Sequence, residues 1–140
     1  MTTVREIMTS GAECVGERET LQVAARKMRD LNVGALPICG EDQRLKGMLT
    51  DRDIVVKCLA EGTDPKSCSA GELAQGTPVW ISADADVDEA WQSMAKNRIR
   101  RLPVIDSNHQ LIGMVSQGDV ARHLPPDRVG ELVEAISAAP

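Results

Sequence analysis

The chain has 140 residues, a formal net charge of −5 and two Trp with neither Phe nor Tyr. The acidic balance argues against general nucleic-acid binding, which needs a basic face. The scarcity of aromatics excludes a base-stacking platform. No run of about 18 apolar residues occurs, so no membrane span is expected. The opening MTTVREIMTSG lacks the apolar stretch of a signal peptide, so a cytoplasmic protein is expected.

In chain order, Val4 to Met8 reads as a short amphipathic segment, followed by an extended stretch around Glu13-Cys14-Val15. Thr20 can cap a helix with Leu21, Ala24, Ala25 and Met28 on one face. Ala35 to Cys39 reads as a buried strand that Pro37 sets near a sheet edge. A turn at Gly40–Gln43 leads into a returning strand at Leu45–Leu49, and a helix runs from Asp51 to about Ala60. Residues 61–67 form a linker. The plan then repeats: a start at Trp80-Ile81, a helix capped by Asp86 with Glu89 at its third position, and strands at Leu102–Ile105 and Leu111–Val115 around a turn at Asp106–His109. A helix follows from Gln117 to His123. Pro125-Pro126 stops it, and Val129, Leu132, Val133 and Ile136 give the tail an apolar helical stripe.

Residues 3–58 fall on 69–124 without a gap, aligning Glu6 with Glu72, Ala24 with Ala90, Met28 with Met94, Gly47-Met48 with Gly113-Met114 and Asp53 with Asp119. An internal repeat of this kind means two copies of one folding unit. The expected fold is α+β, two β-α-β-β-α units related by a pseudo-two-fold axis. The expected boundaries are 1–62, 63–125 and a helical tail at 126–140. Each half alone is small for a stable core, so the halves are expected to fold as a pair.

The segments Gly34-Ala35-Leu36-Pro37-Ile38 with Leu45–Asp53, and Arg100-Arg101-Leu102-Pro103-Val104 with Leu111–Asp119, resemble those of a CBS-domain pair, or Bateman module. The resemblance spans residues 3–124. It implies tandem CBS domains forming a regulatory or sensor module for an adenosine-containing ligand such as AMP, ADP, ATP or S-adenosylmethionine. No cofactor is expected to be required. The module would act through a separate partner protein and as a homodimer; the exposed tail stripe is a second reason to expect self-association.

Thr50-x-x-Asp53 and Ser116-x-x-Asp119 each place a hydroxyl three residues before an acid at a strand-to-helix junction, which is a capping-box spacing. Asp is shorter than the usual Glu or Gln of that motif. The resemblance implies that Thr50 and Ser116 contact phosphate and that Asp53 and Asp119 bind ribose hydroxyls; capping and binding do not exclude each other. Arg100 and Arg101, in a basic cluster with Lys96 and Arg98, replace Gly34 and Ala35 of the first copy. A guanidinium at Arg101 suits phosphate, so the two sites are expected to differ.

Cys14 and Cys39 fall on neighbouring strands, where their repeat counterparts are Trp80 and Ile105. They read either as small buried hydrophobes or as a disulfide pair. The second option carries an alternative function: a stress- or redox-responsive interaction protein with empty clefts. Cys58 and Cys68 flank the linker and suggest no chemistry. His109 and His123 lack metal-ligand spacing, no zinc motif occurs, and no catalytic constellation is legible, so neither a metal nor an enzyme is expected.

Overall fold

A computed structural model describes residues 2–11, 13–74 and 78–138. The elements are α1 (Val4–Ile7), β1 (Thr9–Ser10), β2 (Val15–Gly16), α2 (Leu21–Leu31), β3 (Ala35–Cys39), β4 (Leu45–Thr50) and α3 (Asp51–Ile54), which continues as a π-helical turn over Val55–Leu59. Then come α4 (Ala70–Leu73), β5 (Ile81–Ser82), α5 (Val87–Asn97), β6 (Arg101–Ile105), β7 (Leu111–Ser116), α6 (Gln117–Ala121) and α7 (Pro126–Ser137). The mixed α+β class and the doubled element order follow the sequence.

The two compact bodies do not follow the expected boundaries. One is Glu13–Pro78; the other joins Met1–Ala12 to Val79–Pro140. Each copy therefore lends its leading segment to the body built from the other. Val4 is fully buried with Ile81, Met94 and Val104, and its N–H donates to the Ala85 carbonyl at 2.8 Å. Ala70, its counterpart, is fully buried with Val15, Leu21 and Cys58, and its N–H donates to the Glu19 carbonyl at 2.8 Å. The repeated Glu6 and Glu72 now have a cause: each carboxylate accepts from the amide of its helix N-cap, Thr3 at 3.0 Å and Ser69 at 3.2 Å. Local capping stabilises helices of four residues that propensity alone cannot hold.

In the Glu13–Pro78 body the sheet order is β2-β3-β4, with β2 parallel and β4 antiparallel to β3. In the other body it is β1-β7-β6-β5. Pro37 thus lies in a central strand, contrary to the expected edge. The short β2 pairs only with Ile38 and Cys39, so on that side the strand is open at Pro37 and a missing N–H is tolerated. Pro103 repeats the arrangement, because β5 pairs only with Val104 and Ile105.

Gly113 is dictated by packing. Gly113 pairs with Ser10, and a Cβ there would lie 2.6 Å from the Thr9 carbonyl oxygen. Gly113→Ala is expected to cost roughly 1–3 kcal/mol, because backbone must move to admit the methyl. A denaturant titration checks it; an unchanged midpoint would contradict the packing.

The apolar face of α2 is narrower than the sequence suggests. Leu21, Ala24 and Met28 are buried, whereas Ala25 is exposed. Its counterpart Trp91 packs against the core of its own body, and the indole N–H donates to the Arg128 carbonyl on α7 at 3.1 Å. The tail stripe is accordingly covered within the chain: Leu132 and Ile136 are buried in that core, and only Val133 is well exposed. The tail therefore gives no reason for self-association.

Candidate functional site

β4 and β7 end in the hydroxyl residues of the repeat, and the chain turns directly into α3 and α6. Thr50 and Ser116 are the N-caps, both in extended conformation. The Thr50 hydroxyl accepts from the Asp53 N–H at 3.0 Å, and the Thr50 N–H donates to Asp53 Oδ2 at 3.0 Å. In the second copy, the Ser116 hydroxyl accepts from the Asp119 N–H at 3.1 Å, and the Ser116 N–H donates to Asp119 Oδ2 at 2.9 Å. Both are complete capping boxes. The shorter Asp does reach back, which corrects the sequence-based argument against capping. Removing either acid costs a cap as well as any ligand contact.

The outer oxygen of each carboxylate is also engaged. Lys57 Nζ lies 3.3 Å from Asp53 Oδ1, and Arg122 Nη2 lies 2.9 Å from Asp119 Oδ1. An ionised carboxylate offers about four acceptor positions, so each retains capacity for hydroxyl donors. The acid side chains keep 22% and 16% exposure, within reach of a ligand. Lys57 and Arg122 were missed in the sequence. Their signal was available, because cations three or four residues after an acid lie on the same helix face.

The copies differ on the opposing strand. Arg101 is the register partner of Ser116, whereas Ala35 faces Thr50. Arg101 is exposed and forms no ion pair with a described residue. The Arg100 carbonyl accepts the Gln117 N–H at 2.7 Å, so the backbone of the basic segment is tied to the start of α6. Arg101 thus joins Ser116 and Asp119 at one strand-helix junction. Arg98 terminates α5 in the left-handed region, with φ of 54°, and belongs to that helix end.

A model of the CBS domain matches residues 4–59 and again 70–126. The chain belongs to the CBS domain family. Its doubled match makes it a CBS pair. It is 52% identical over 136 residues to Hypoxic response protein 1 of Mycobacterium tuberculosis, covering 97% of this chain and 94% of the relative. A crystal structure of Hypoxic Response Protein I with two coordinated zinc ions superposes with a TM-score of 0.82 at 53% identity, covering 89% of this chain and all of that one. The CBS domain pair of protein MJ0100, in complex with 5′-methylthioadenosine and S-adenosyl-L-methionine, matches with a TM-score of 0.76 at 26% identity over 88% of this chain and 95% of that one.

Among the described residues no group of three or more His, Cys, Asp or Glu is placed to hold a metal. His109 instead meets the Trp80 ring edge-on at 6.1 Å, and His123 Nδ1 lies 2.9 Å from the Asp119 carbonyl. Among the described residues no helix is long and apolar enough to cross a membrane.

Cys14 and Cys39 are free thiols and share a cleft of about 440 Å³ in the Glu13–Pro78 body, also lined by Gly16, Glu19 and Gly40. Cys58 and Cys68 are free and buried in the core of the same body. The Cys68 thiol lies 2.8 Å from Glu72 Oε2, and the carboxylate there pushes it up to about 11, away from reactivity.

Proposed function

We propose that the chain is a regulatory module that binds an adenosine-containing ligand at its strand-helix junctions and signals to a separate partner protein. The ligand class finds support in the MJ0100 pair, whose complex contains two adenosine compounds. The single observation that carries the assignment to particular residues is the register of Arg101 on Ser116, with Asp119 three residues on. A guanidinium and a hydroxyl would meet phosphate there, and the carboxylate would meet ribose. At the first junction Ala35 stands in place of Arg101, so that junction suits a ligand without phosphate, such as S-adenosylmethionine. AMP, ADP or ATP is assigned to the second.

A thermal-shift panel of adenine nucleotides, guanine nucleotides and S-adenosylmethionine tests the reading, because a ligand specific for the native state must raise the melting temperature. Adenine compounds are expected to stabilise and guanine compounds not. Equal shifts with both would reject adenosine specificity.

The homodimer expectation moves from the tail to another surface. Val55, Val56 and Leu59 are 55%, 43% and 54% exposed on the π-helical turn, an apolar face next to Asp53. A second copy of this chain is its assigned occupant, in the closed two-fold association usual for small soluble proteins. Light scattering is expected to give about twice the 15.1 kDa chain mass. Val55→Asp with Leu59→Asp is expected to return the monomer. A dimer unaffected by the double variant would move the interface elsewhere.

A further inference from the structure

We infer that Cys14 and Cys39 form a peroxide-responsive thiol pair, in which Cys14 attacks the oxidant and Cys39 resolves the product to a disulfide. The inference is independent of the ligand reading.

The strand register brings the two cysteines to one face of the sheet. Val15 pairs with Ile38 and Gly16 with Cys39. Val15 and Ile38 are fully buried in the core, so alternation along each strand puts Cys14, Gly16 and Cys39 on the opposite face. Gly16 places no side chain of its own between them, and the Glu19 carboxylate lies over it, accepting the Gly16 N–H at 2.8 Å. Cys14 and Cys39 thus stand diagonally across β2 and β3, and both line the same cleft. Cys39 is only 2% exposed, yet it lies outside the core cluster, facing the cleft instead.

The two thiols are chemically unequal. Cys14 is half-buried at the cleft and is lowered to about 7, first by the Cys39 hydrogen bond and then by the Lys27 ammonium, against desolvation and Glu19. Lys27 Nζ is held beside it, donating to the Cys14 carbonyl at 3.1 Å and to Glu19 Oε1 at 3.2 Å. Cys39 is raised, by donating to Cys14 and by burial. One sulfur is thus supplied as a thiolate and the other keeps its proton, the division of labour that attack and resolution require.

The internal repeat acts as a control. Cys14, Glu19, Lys27 and Cys39 correspond to Trp80, Ala85, Ser93 and Ile105. The second copy builds the same strands without any of the four polar groups, so the fold does not require them. The cleft also selects the oxidant. Glu17, Glu19 and Glu41 line it against Arg18 alone, and Arg18 is paired with Glu41 at 3.3 Å. A neutral hydroperoxide is admitted more readily than an anionic disulfide.

In the first step the Cys14 thiolate attacks the peroxide oxygen, the O–O bond breaks, and the departing alkoxide or hydroxide takes up a proton. Cys14 becomes a sulfenic acid. The Cys39 sulfur then attacks the Cys14 sulfur, and the sulfenic oxygen leaves as water with the Cys39 proton. Two thiols have supplied the two electrons that reduced the peroxide. An external dithiol restores both.

The test uses the full chain, reduced and freed of reductant, treated with hydrogen peroxide, alkylated without unfolding and mapped by mass. The expected product has lost two hydrogen atoms, carries a peptide link between Cys14 and Cys39, and leaves Cys58 and Cys68 protected. Cys39→Ser is expected to accumulate a Cys14 sulfenic acid that dimedone traps, and Lys27→Met to slow alkylation of Cys14 at pH 7 several-fold with little change in melting temperature. In the unmodified chain the alkylation rate of Cys14 should reach half its maximum near pH 7, set by Cys39 on β3, Lys27 on α2, Glu19 before α2 and Asp42, which acts on Cys39 from the following turn. That rate profile needs no variant to fold. A profile centred above pH 8.5, a bridge between any other pair, or thiols that survive excess peroxide would overturn the inference.

Discussion

Deleting residues 1–10 is expected to destabilise the protein by at least about 3 kcal/mol, although this segment precedes both repeated strand-helix cores. Full burial of Val4 contributes roughly 1.5–3 kcal/mol. The N–H groups of Val4 and Arg5 bond the Ala85 and Ala83 carbonyls at 2.8 and 3.0 Å, each worth about 0.5–1.5 kcal/mol net. Loss of β1 further exposes the outer edge of β7. For a body of this size the melting temperature should fall by roughly 10 °C or more. Calorimetry decides it. An unchanged transition would mean that the leading segment is not part of that body.

Sequence reading succeeds where a pattern is local. The helix from Thr20 and the helix from Asp86 are legible because cap and apolar spacing agree, and both caps are formed: Thr20 accepts from Val23 and Asp86 from Glu89. The paired strands from Ala35 and Leu102 are legible from their apolar runs and turns. The exchange of leading segments is not, because the gapless repeat is equally compatible with Val4 packing in its own copy or in the other. Nor is the coverage of the tail, since a stripe such as Leu132 and Ile136 has the same spacing whether its cover is α5 or another chain. Of the site, Thr50, Asp53, Ser116 and Asp119 are visible twice over. Lys27 is not, because its partner is a backbone carbonyl thirteen positions earlier, which no side-chain pattern records.

The second large effect is on ligand affinity. Arg101→Ala removes a charged donor opposite Ser116, and a charge-assisted hydrogen bond is worth roughly 1.5–3 kcal/mol. AMP binding is expected to weaken about ten- to a hundredfold. Asp119→Asn keeps an oxygen that can accept from the Ser116 N–H, so the cap largely survives while the anionic partner of ribose is lost. Its effect on affinity should exceed its effect on melting temperature. Asp119→Ala should reduce both, because it removes half of the capping box. S-adenosylmethionine affinity should respond more to Asp53→Asn than to Arg101→Ala, because Ala35 replaces the guanidinium at the first junction.

The most direct measurement is isothermal titration of the full, reduced chain with AMP and with S-adenosylmethionine. Saturable binding of an adenosine compound is expected, weakened by Asp119→Asn or Asp53→Asn in a chain whose melting temperature stays close to the parent. Absence of binding by every adenosine compound at millimolar concentration, from a chain that still melts cooperatively, would contradict it.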